Sequence, residues 1–392
     1  MSSLHLDKST WDLLQSGVNN RERIKGLTHL FYKYPARFSP AFAASAIECL
    51  SKPADVVLDP YMGGGTSIIE GWVRNRKMIG CDINELSRFV AQCKTTLLST
   101  SDTAQIVSWK QTFLPKIRYD NKYRLPTIPT GRYGNNLELT QSRFTKPLVE
   151  QVLGDIVQID RKPVANFLRM ALLKTAQLAW DGRKQRVSAE DFRKRLDTNL
   201  TVMLQGMDEF KSALINVDKR KSPKLLCQSA ENLRPSLIDN QKVDLVVTSP
   251  PYPGVHMLYH RWQIDGRKES AAPYWIADCE DGKGTDYYTF GGRQTRAGVD
   301  KYFEIAERTH RAIRSVMKTG AYFVQLIAFN NKSSQLPRYL NCMANAGFDE
   351  VNLAGSSRMR RLWRKVPNRK WYTRFTDTSN SSKEVALIHK AI

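Results

Sequence analysis

The residues best equipped for chemistry are Thr248-Ser249-Pro250-Pro251-Tyr252, which follow a short apolar run of Val243, Leu245, Val246 and Val247. The run has the length and β-branched content of a buried parallel strand. Two consecutive prolines then end it, since they bring no N–H to a sheet ladder and hold φ fixed. The carbonyls of Ser249 and Pro250 are left to accept from a ligand, a hydroxyl precedes them, and an aromatic ring follows. In an open α/β sheet, the carboxyl end of a parallel strand is where ligands bind. Such a corner suits a planar group bearing an exocyclic amine. The Ser249 hydroxyl and a backbone carbonyl accept its N–H bonds, and Tyr252 stacks on its face. Taken alone, the four residues also suit an ordinary strand-to-loop turn, where Ser and Pro are common. Their surroundings decide between the two.

A second constellation lies far upstream. In ADVVLDPYMGGGT, residues 54–66, the run Val56, Val57 and Leu58 reads as another buried strand ended by Asp59-Pro60. Gly63, Gly64 and Gly65 then make a tight turn into a helix beginning at Thr66. Glycine there lets backbone approach a ligand closely and offers N–H groups at a helix N-terminus. The next strand, Met78-Ile79-Gly80-Cys81, ends in Asp82. Strand, glycine turn, helix, strand and acid make a nucleoside-binding layout, with the carboxylate placed for ribose hydroxyls. Asp82 is also a candidate cap for the following helix, as is Asn84. Upstream, HLFYKYPARFSP at 29–40 leads into a helical pattern of Phe42, Ala43, Ala46, Ile47 and Leu50. Pro40 suits the first turn of that helix.

The elements that must position these sites are uneven along the chain. From about residue 95 to 222 the alternation of strand and helix breaks off. Residues 115–147 read as an irregular loop, and 148–214 show helical periodicity, with Ser188-Ala189-Glu190-Asp191 capping one helix. The sheet resumes at Leu225-Leu226-Cys227 and continues into the Ser-Pro-Pro-Tyr strand. Residues 260–298 have few apolar runs and read as a long loop, functional or disordered. A helix over 302–317, a strand over 320–329 and a helix over 336–346 follow, and Val385-Ala386-Leu387-Ile388 is a closing strand expected to pair with 322–329.

At 392 residues the chain has room for two or three units. Its 60 Lys and Arg against 38 Asp and Glu leave a net charge of +22. Solubility asks for only about 2–8 net charges in a small domain. The excess therefore predicts a polyanionic partner, nucleic acid first. Within RMRRLWRKVPNRKWYTR, residues 358–374, eight Lys/Arg alternate with Trp363, Trp371 and Tyr372. That mixture suits a surface that tracks phosphates and stacks on bases. No apolar run approaches the ~20 residues of a membrane span, and no membrane partner is expected. The six cysteines are scattered without a CxxC, which indicates neither a zinc site nor a disulfide framework, so no metal is expected. The first residues lack a signal-peptide layout. A cytoplasmic protein, prokaryotic or phage-associated, is expected.

Together the motifs resemble those of the DNA amino-methyltransferases, which use S-adenosylmethionine. KYPARFSP is similar to the family's motif beside the methionine end of the cofactor, DPYMGGGT to its glycine-rich loop, and GCDIN to its ribose-binding acid. TSPPY resembles the catalytic corner, in the serine form typical of cytosine-N4 enzymes. The likeness covers roughly 29–95 and 225–330. It implies an α/β, Rossmann-like methyltransferase fold with a doubly wound, mostly parallel sheet. Residues 1–98 and 223–392 would form a discontinuous catalytic domain, and 99–222 a mostly helical insertion that contacts DNA or recognises the target.

The resemblance also implies site residues. Catalytic roles fall on Ser249, Pro250, Pro251 and Tyr252. Cofactor contacts fall on Lys33, Tyr34, Pro35, Arg37, Phe38, Asp59, Pro60, Tyr61, Gly63, Gly65, Thr66, Asp82, Ile83 and Ser229. Among these, Asp59 with the glycine backbone would lie against the methionine moiety, and Arg37 or Lys33 would meet its carboxylate. Double-stranded DNA would be held by Arg293, Arg296, Arg358, Arg360, Arg361, Trp363, Arg364, Lys365, Arg369, Lys370 and Trp371. A cognate restriction or defence protein is a further implied partner. The turn Cys227-Gln228-Ser229 lacks the acid often found where the family holds the adenine amino group. Open alternatives are an adenine-N6 or RNA amino-methyltransferase, a catalytically silent DNA-binding subunit, and a nicotinamide dehydrogenase that would give Ser-Pro-Pro-Tyr no role.

Overall fold

The computed structural model describes every residue except 1–4, 35–38, 120–130, 139–141, 183–185, 219–221, 254–260, 265–267, 281–287, 292–294, 354–359 and 366–382. Eight strands form one sheet: Val56–Asp59 (β1), Lys77–Asp82 (β2), Lys224–Cys227 (β3), Val243–Thr248 (β4), Met317–Ala328 (β5), Phe348–Glu350 (β6), Arg361–Lys365 (β7) and Lys383–Ala391 (β8). The order is β7-β8-β5-β4-β1-β2-β3, with β6 also paired to β8. β3, β2, β1, β4 and β5 run parallel, and β8 is reversed between β5 and β7. This is a doubly wound, mostly parallel sheet of the Rossmann-like kind. The closing strand pairs where its sequence predicts, with Val385 opposite Ile327 and Ala386 opposite Leu326.

Successive strand residues point to opposite faces, and the apolar side chains divide accordingly. Val57, Leu245, Val247, Val324, Leu326 and Ala386 belong to one buried cluster. Val56, Leu58, Val246, Phe323, Ile327 and Val385 belong to the other. The first face is covered by Lys8–Asn19 (α1), Pro40–Leu50 (α2), Thr66–Val73 (α3) and Glu85–Thr95 (α4). Its cluster continues into the insertion, whose helices are Thr100–Thr112 (α5), Ser142–Ile156 (α6), Lys162–Trp180 (α7) and Ala189–Ala213 (α8). Edge-to-face ring pairs join the two parts: Phe31 with Phe167 at 5.7 Å and Trp72 with Phe210 at 5.5 Å. The second face is covered by Arg296–Val316 (α10) and Lys332–Asn345 (α11), which follow a short α9 described next.

The region expected to be a structureless loop, 260–298, departs from that expectation where it is described. Trp262–Ile264 and Lys268–Ser270 pair as an antiparallel hairpin, and Ala272–Ala277 is a buried helix (α9). Strands of three residues are too short to show a period of two, and Pro273 and the polar flanks mask the helix. These pieces dock beside the glycine turn. The Trp262 Nε1–H donates to the Tyr32 hydroxyl at 3.1 Å, and the Tyr274 hydroxyl donates to Asn84 Oδ1 at 3.0 Å.

Because α8 shares the first core cluster, Phe210→Ala should cost about 3–5 kcal/mol for the whole chain rather than for the insertion alone. Denaturant unfolding followed by tryptophan fluorescence and by circular dichroism should show one shifted transition. Two separate transitions would contradict a shared core.

Candidate active site

Parallel pairing of β1 with β4 sets Val57 opposite Leu245 and Leu58 opposite Val246. Both strands therefore end at the same rim, and the glycine turn and the double-proline bend leave from neighbouring positions. One side chain ties them. Asp59, fully buried, accepts from the Thr248 hydroxyl at 2.5 Å, from the Tyr61 N–H at 3.1 Å and from the Ser67 hydroxyl. It thus connects the end of β1, the first turn of α3 and the last residue of β4. This corrects the expected role of Asp59 against the methionine moiety. Its oxygens are turned inward onto three protein donors, because the strand ends in the sheet interior and only the following residues reach the rim. Burial pushes its carboxyl up to about 6, against the lowering effect of the hydrogen bonds.

The glycine turn is held from below. Gly63 and Gly65 have φ of +46° and +75°, a region that glycine occupies without a Cβ penalty. A Cβ on Gly64 would lie 2.8 Å from Tyr34 Cβ, so the buried Tyr34 packs directly on the turn. The Gly63 N–H donates to Asp82 Oδ2 at 2.9 Å, and its carbonyl accepts from the Ser87 hydroxyl at 2.7 Å. Lys94, almost fully buried on α4, donates from Nζ to the Gly64 carbonyl at 2.7 Å. Neither Ser87 nor Lys94 was anticipated. A lysine at the i+4 position from Val90 on an apolar helix face was the available signal. The helix cap proves to be Asn84, whose Oδ1 accepts from the Leu86 N–H at 2.9 Å. Asp82 is partly exposed at the rim, its Oδ1 accepting from the Asn84 N–H at 2.9 Å as its Oδ2 does from Gly63.

At the corner each hydroxyl has an acceptor among the described residues. The Ser249 Oγ–H donates to the Leu326 carbonyl at 2.9 Å. The Tyr252 O–H donates to Glu384 Oε1 at 2.8 Å, and the two hydroxyl oxygens lie 3.4 Å apart. The Tyr302 hydroxyl donates to the Pro251 carbonyl at 2.6 Å. Tyr252 is only 5 % exposed, which corrects the expectation of an open stacking platform. Its ring packs into the second core cluster, drawn there by the carboxylate of β8.

Comparison with known proteins can now be set against this geometry. A DNA methylase family (N6_N4_Mtase) matches residues 5–90, a stretch that carries the glycine turn and Asp82 but stops short of β4. Type II methyltransferase M.MvaI of Kocuria varians is 26% identical over 277 residues, 63% of this chain and 59% of that protein. Type II methyltransferase M.BsoBI of Geobacillus stearothermophilus is 25% identical over 286 residues, 64% of this chain and 54% of that protein. The chain is related to the DNA amino-methyltransferases. It spans little more than half the length of these two relatives. Among solved structures, TrmN from Thermus thermophilus aligns with 93% of this chain and 53% of its own at 10% identity and a TM-score of 0.35, too weak a likeness to carry any argument.

The S-adenosylmethionine implied by the sequence resemblance would find polar groups along this rim. Asp82 is an acceptor suited to ribose hydroxyls. Beside it, the Gln228 N–H donates to the Asp82 carbonyl at 2.8 Å, while the Gln228 side-chain Nε2 is buried without a partner among the described residues. A buried amide donor is costly unless satisfied, and adenine ring nitrogens are acceptors. Gln228 thus stands where the sequence lacked the expected acid. The Ser229 hydroxyl beside it caps a short helical turn by accepting from the Glu231 N–H at 3.3 Å and keeps its own proton to donate. Lys33 is exposed, Tyr34, Pro60 and Thr66 are buried, and Tyr61 and Ile83 are half-buried at this rim. Pro35, Arg37 and Phe38 lie outside the described residues.

The residues expected to hold DNA divide into two groups. Arg361 and Arg364 point into the protein. Arg361 pairs with Glu350 through two bonds of 2.6 and 2.9 Å, and Arg364 pairs with Glu384 at 2.6 Å. Both sit on an edge strand whose neighbours supply carboxylates, so their charge is neutralised locally. Trp363 is half-buried under the Lys332 ammonium, 3.9 Å from the ring centre. Arg296, Arg360 and Lys365 are exposed. Arg293, Arg358, Arg369, Lys370 and Trp371 lie outside the described residues.

The raised carboxyl of Asp59 has a sign that can be tested. A folded value near 6 against 3.8 for the free group means that folding favours the protonated form. That advantage is complete below pH ~4 and is lost as pH rises through ~6, roughly 3 kcal/mol at most. The stability of the wild type relative to Asp59→Asn should therefore fall between pH 4 and 7. A difference in melting temperature that stays flat across this range would refute it.

Proposed function

We propose that the protein is a site-specific DNA methyltransferase that transfers a methyl group to the exocyclic N4 amine of a flipped-out cytosine, in a restriction-modification or defence setting. The observation that carries this reading is the direction of the Ser249 proton. With its hydrogen given to the Leu326 carbonyl, the Ser249 oxygen keeps a lone pair for an amine placed at the corner. A planar amine placed there can donate to it and to the Pro250 carbonyl.

When bound, S-adenosylmethionine supplies an electrophilic methyl group. Cytosine N4 is a poor nucleophile because its lone pair is delocalised into the ring. Ser249 Oγ and the Pro250 carbonyl take the two N–H bonds, turn the lone pair out of the ring plane, and face the positive charge that grows on nitrogen. This is orientation and electrostatic preorganisation, not covalent catalysis. Asp82 anchors the ribose, and the Gly63–Gly65 backbone with Tyr34 beneath it shapes the floor. Lifting the base from the duplex costs a few kcal/mol. The positive surface offsets this through phosphate contacts from exposed groups such as Arg296, Arg360 and Lys365.

Ser249→Ala should lower kcat by ~10²–10³, the usual loss for one preorganised polar group, with cofactor affinity nearly kept. Asp82→Ala should do the reverse, weakening S-adenosylmethionine binding by ~10–100-fold through loss of a charged acceptor. Isothermal titration and methyl incorporation from labelled cofactor would measure both, and mass analysis of the digested nucleosides would tell N4-methylcytosine from N6-methyladenine. A Ser249→Ala protein with wild-type turnover would remove the assignment. DNA affinity should also fall steeply and linearly on a log–log plot against salt.

A further inference from the structure

Behind the corner lies a buried polar chain that none of the expected site residues explains. Tyr252 follows β4, Glu384 lies on β8 and Arg364 on β7, so three distant parts of the sequence meet. Arg364 and Glu384 are directly cross-strand partners. One carboxylate oxygen of Glu384 accepts from the Tyr252 hydroxyl at 2.8 Å. The other accepts from Arg364 Nε at 2.8 Å and from its terminal nitrogen at 2.6 Å. Glu384 is 4 % exposed. A carboxylate this deep is retained only when both oxygens are satisfied, which is what the arginine and the phenol accomplish.

We propose that Glu384, supported by Arg364, is a positioning residue that keeps the Tyr252 proton away from Ser249. The idea rests on the reading of the corner as the methyl-transfer site. The Tyr252 and Ser249 oxygens are 3.4 Å apart, near enough for the phenol to turn and donate to serine. A phenol has one proton and a hydroxyl oxygen accepts readily. As long as Glu384 takes that proton, the lone pairs of Ser249 stay available for the substrate amine. Without Glu384, the Tyr252 hydroxyl can turn to Ser249, 3.4 Å away, and the phenol then competes with the substrate. Arg364 keeps the carboxylate charged and aimed. The edge strand thus contributes to the reaction through its inward face, with two strands between it and β4.

The test uses a suppressor. Glu384→Met should lower kcat about tenfold, with KM for DNA and for S-adenosylmethionine within about threefold of wild type, as for an interaction lost at the reacting centre. Adding Tyr252→Phe, which removes the competing proton, should restore kcat to the level of Tyr252→Phe alone. A merely structural role for Glu384 would leave the double variant no better than the single one, and that result would overturn the proposal. So would a Glu384→Met protein with full kcat. If the lone arginine left behind prevents folding, the same comparison is made in an Arg364→Leu background, where the buried pair becomes apolar. Ser249→Ala is assayed in parallel on unmethylated genomic DNA. An inactive Ser249→Ala beside a fully active Glu384→Met would sink this inference alone, whereas an active Ser249→Ala would sink the corner itself.

Discussion

The buried carboxylate of Asp59 is the constraint on which the site depends. A methyl transfer needs donor and acceptor held at near-contact distance, and the rate falls quickly when that geometry loosens. The glycine turn and the double-proline bend belong to stretches separated by almost two hundred residues, and pairing of β1 with β4 alone would leave their exits free to splay. Asp59 closes that freedom. It binds the hydroxyl of Thr248, the last residue of β4, together with Ser67 at the start of α3 and the backbone of Tyr61. A single side chain at the end of β1 therefore fixes the cofactor loop and the catalytic corner in one frame, at the cost of burying an ionisable group. Such a cost is typical of functional sites rather than of ordinary core.

Much of this frame was legible in the residues. The apolar runs that end in Asp-Pro, Asp82 and Ser-Pro-Pro each mark a strand stopping at a ligand-binding rim, because periodicity and breakers are local signals. The closing strand was also readable, from the uninterrupted apolar run Val385–Ile388. The inward turn of Asp59 was not, because a residue at the last position of a strand can face the rim or the interior, and only its neighbours on another strand decide. The commitment of Tyr252 to Glu384 spans 132 positions and leaves no pattern in either stretch. The hairpin and helix between 262 and 277 were lost for a different reason, since elements of three to six residues fall below the window in which a period is visible.

The charge balance also reads differently once the strands are placed. A run of basic and aromatic residues at 360–365 suggests a phosphate-facing strip, yet strand alternation sends its members to two faces. Arg361 and Arg364 find Glu350 and Glu384 on adjoining strands and are neutralised there. The half of the strip that can meet a polyanion is consequently smaller than the sequence count, and exposed cations elsewhere, Arg296 at the head of α10 among them, must supply part of the excess. Clustering of like charges along a sequence is evidence of a phosphate-facing surface only if carboxylates on nearby elements do not pair with it, as Glu350 and Glu384 do here.

The same division explains how the corner achieves its polarity. Among the described residues, three hydroxyl donors around the corner have acceptors within the protein: Ser249 on Leu326, Tyr252 on Glu384 and Tyr302 on Pro251. The prolines contribute no N–H at all. On the proposed reading, the oxygens of Ser249 and Pro250 then accept from the amine and stabilise positive charge on it. Water would supply similar oxygens but would have to reorganise as the charge develops. Here the orientation is settled when the chain folds, because each donor is bound to a backbone carbonyl or a buried carboxylate that cannot turn. The reactivity assigned to the corner therefore follows from hydrogen bonds made on its inner side, by residues that never meet the substrate.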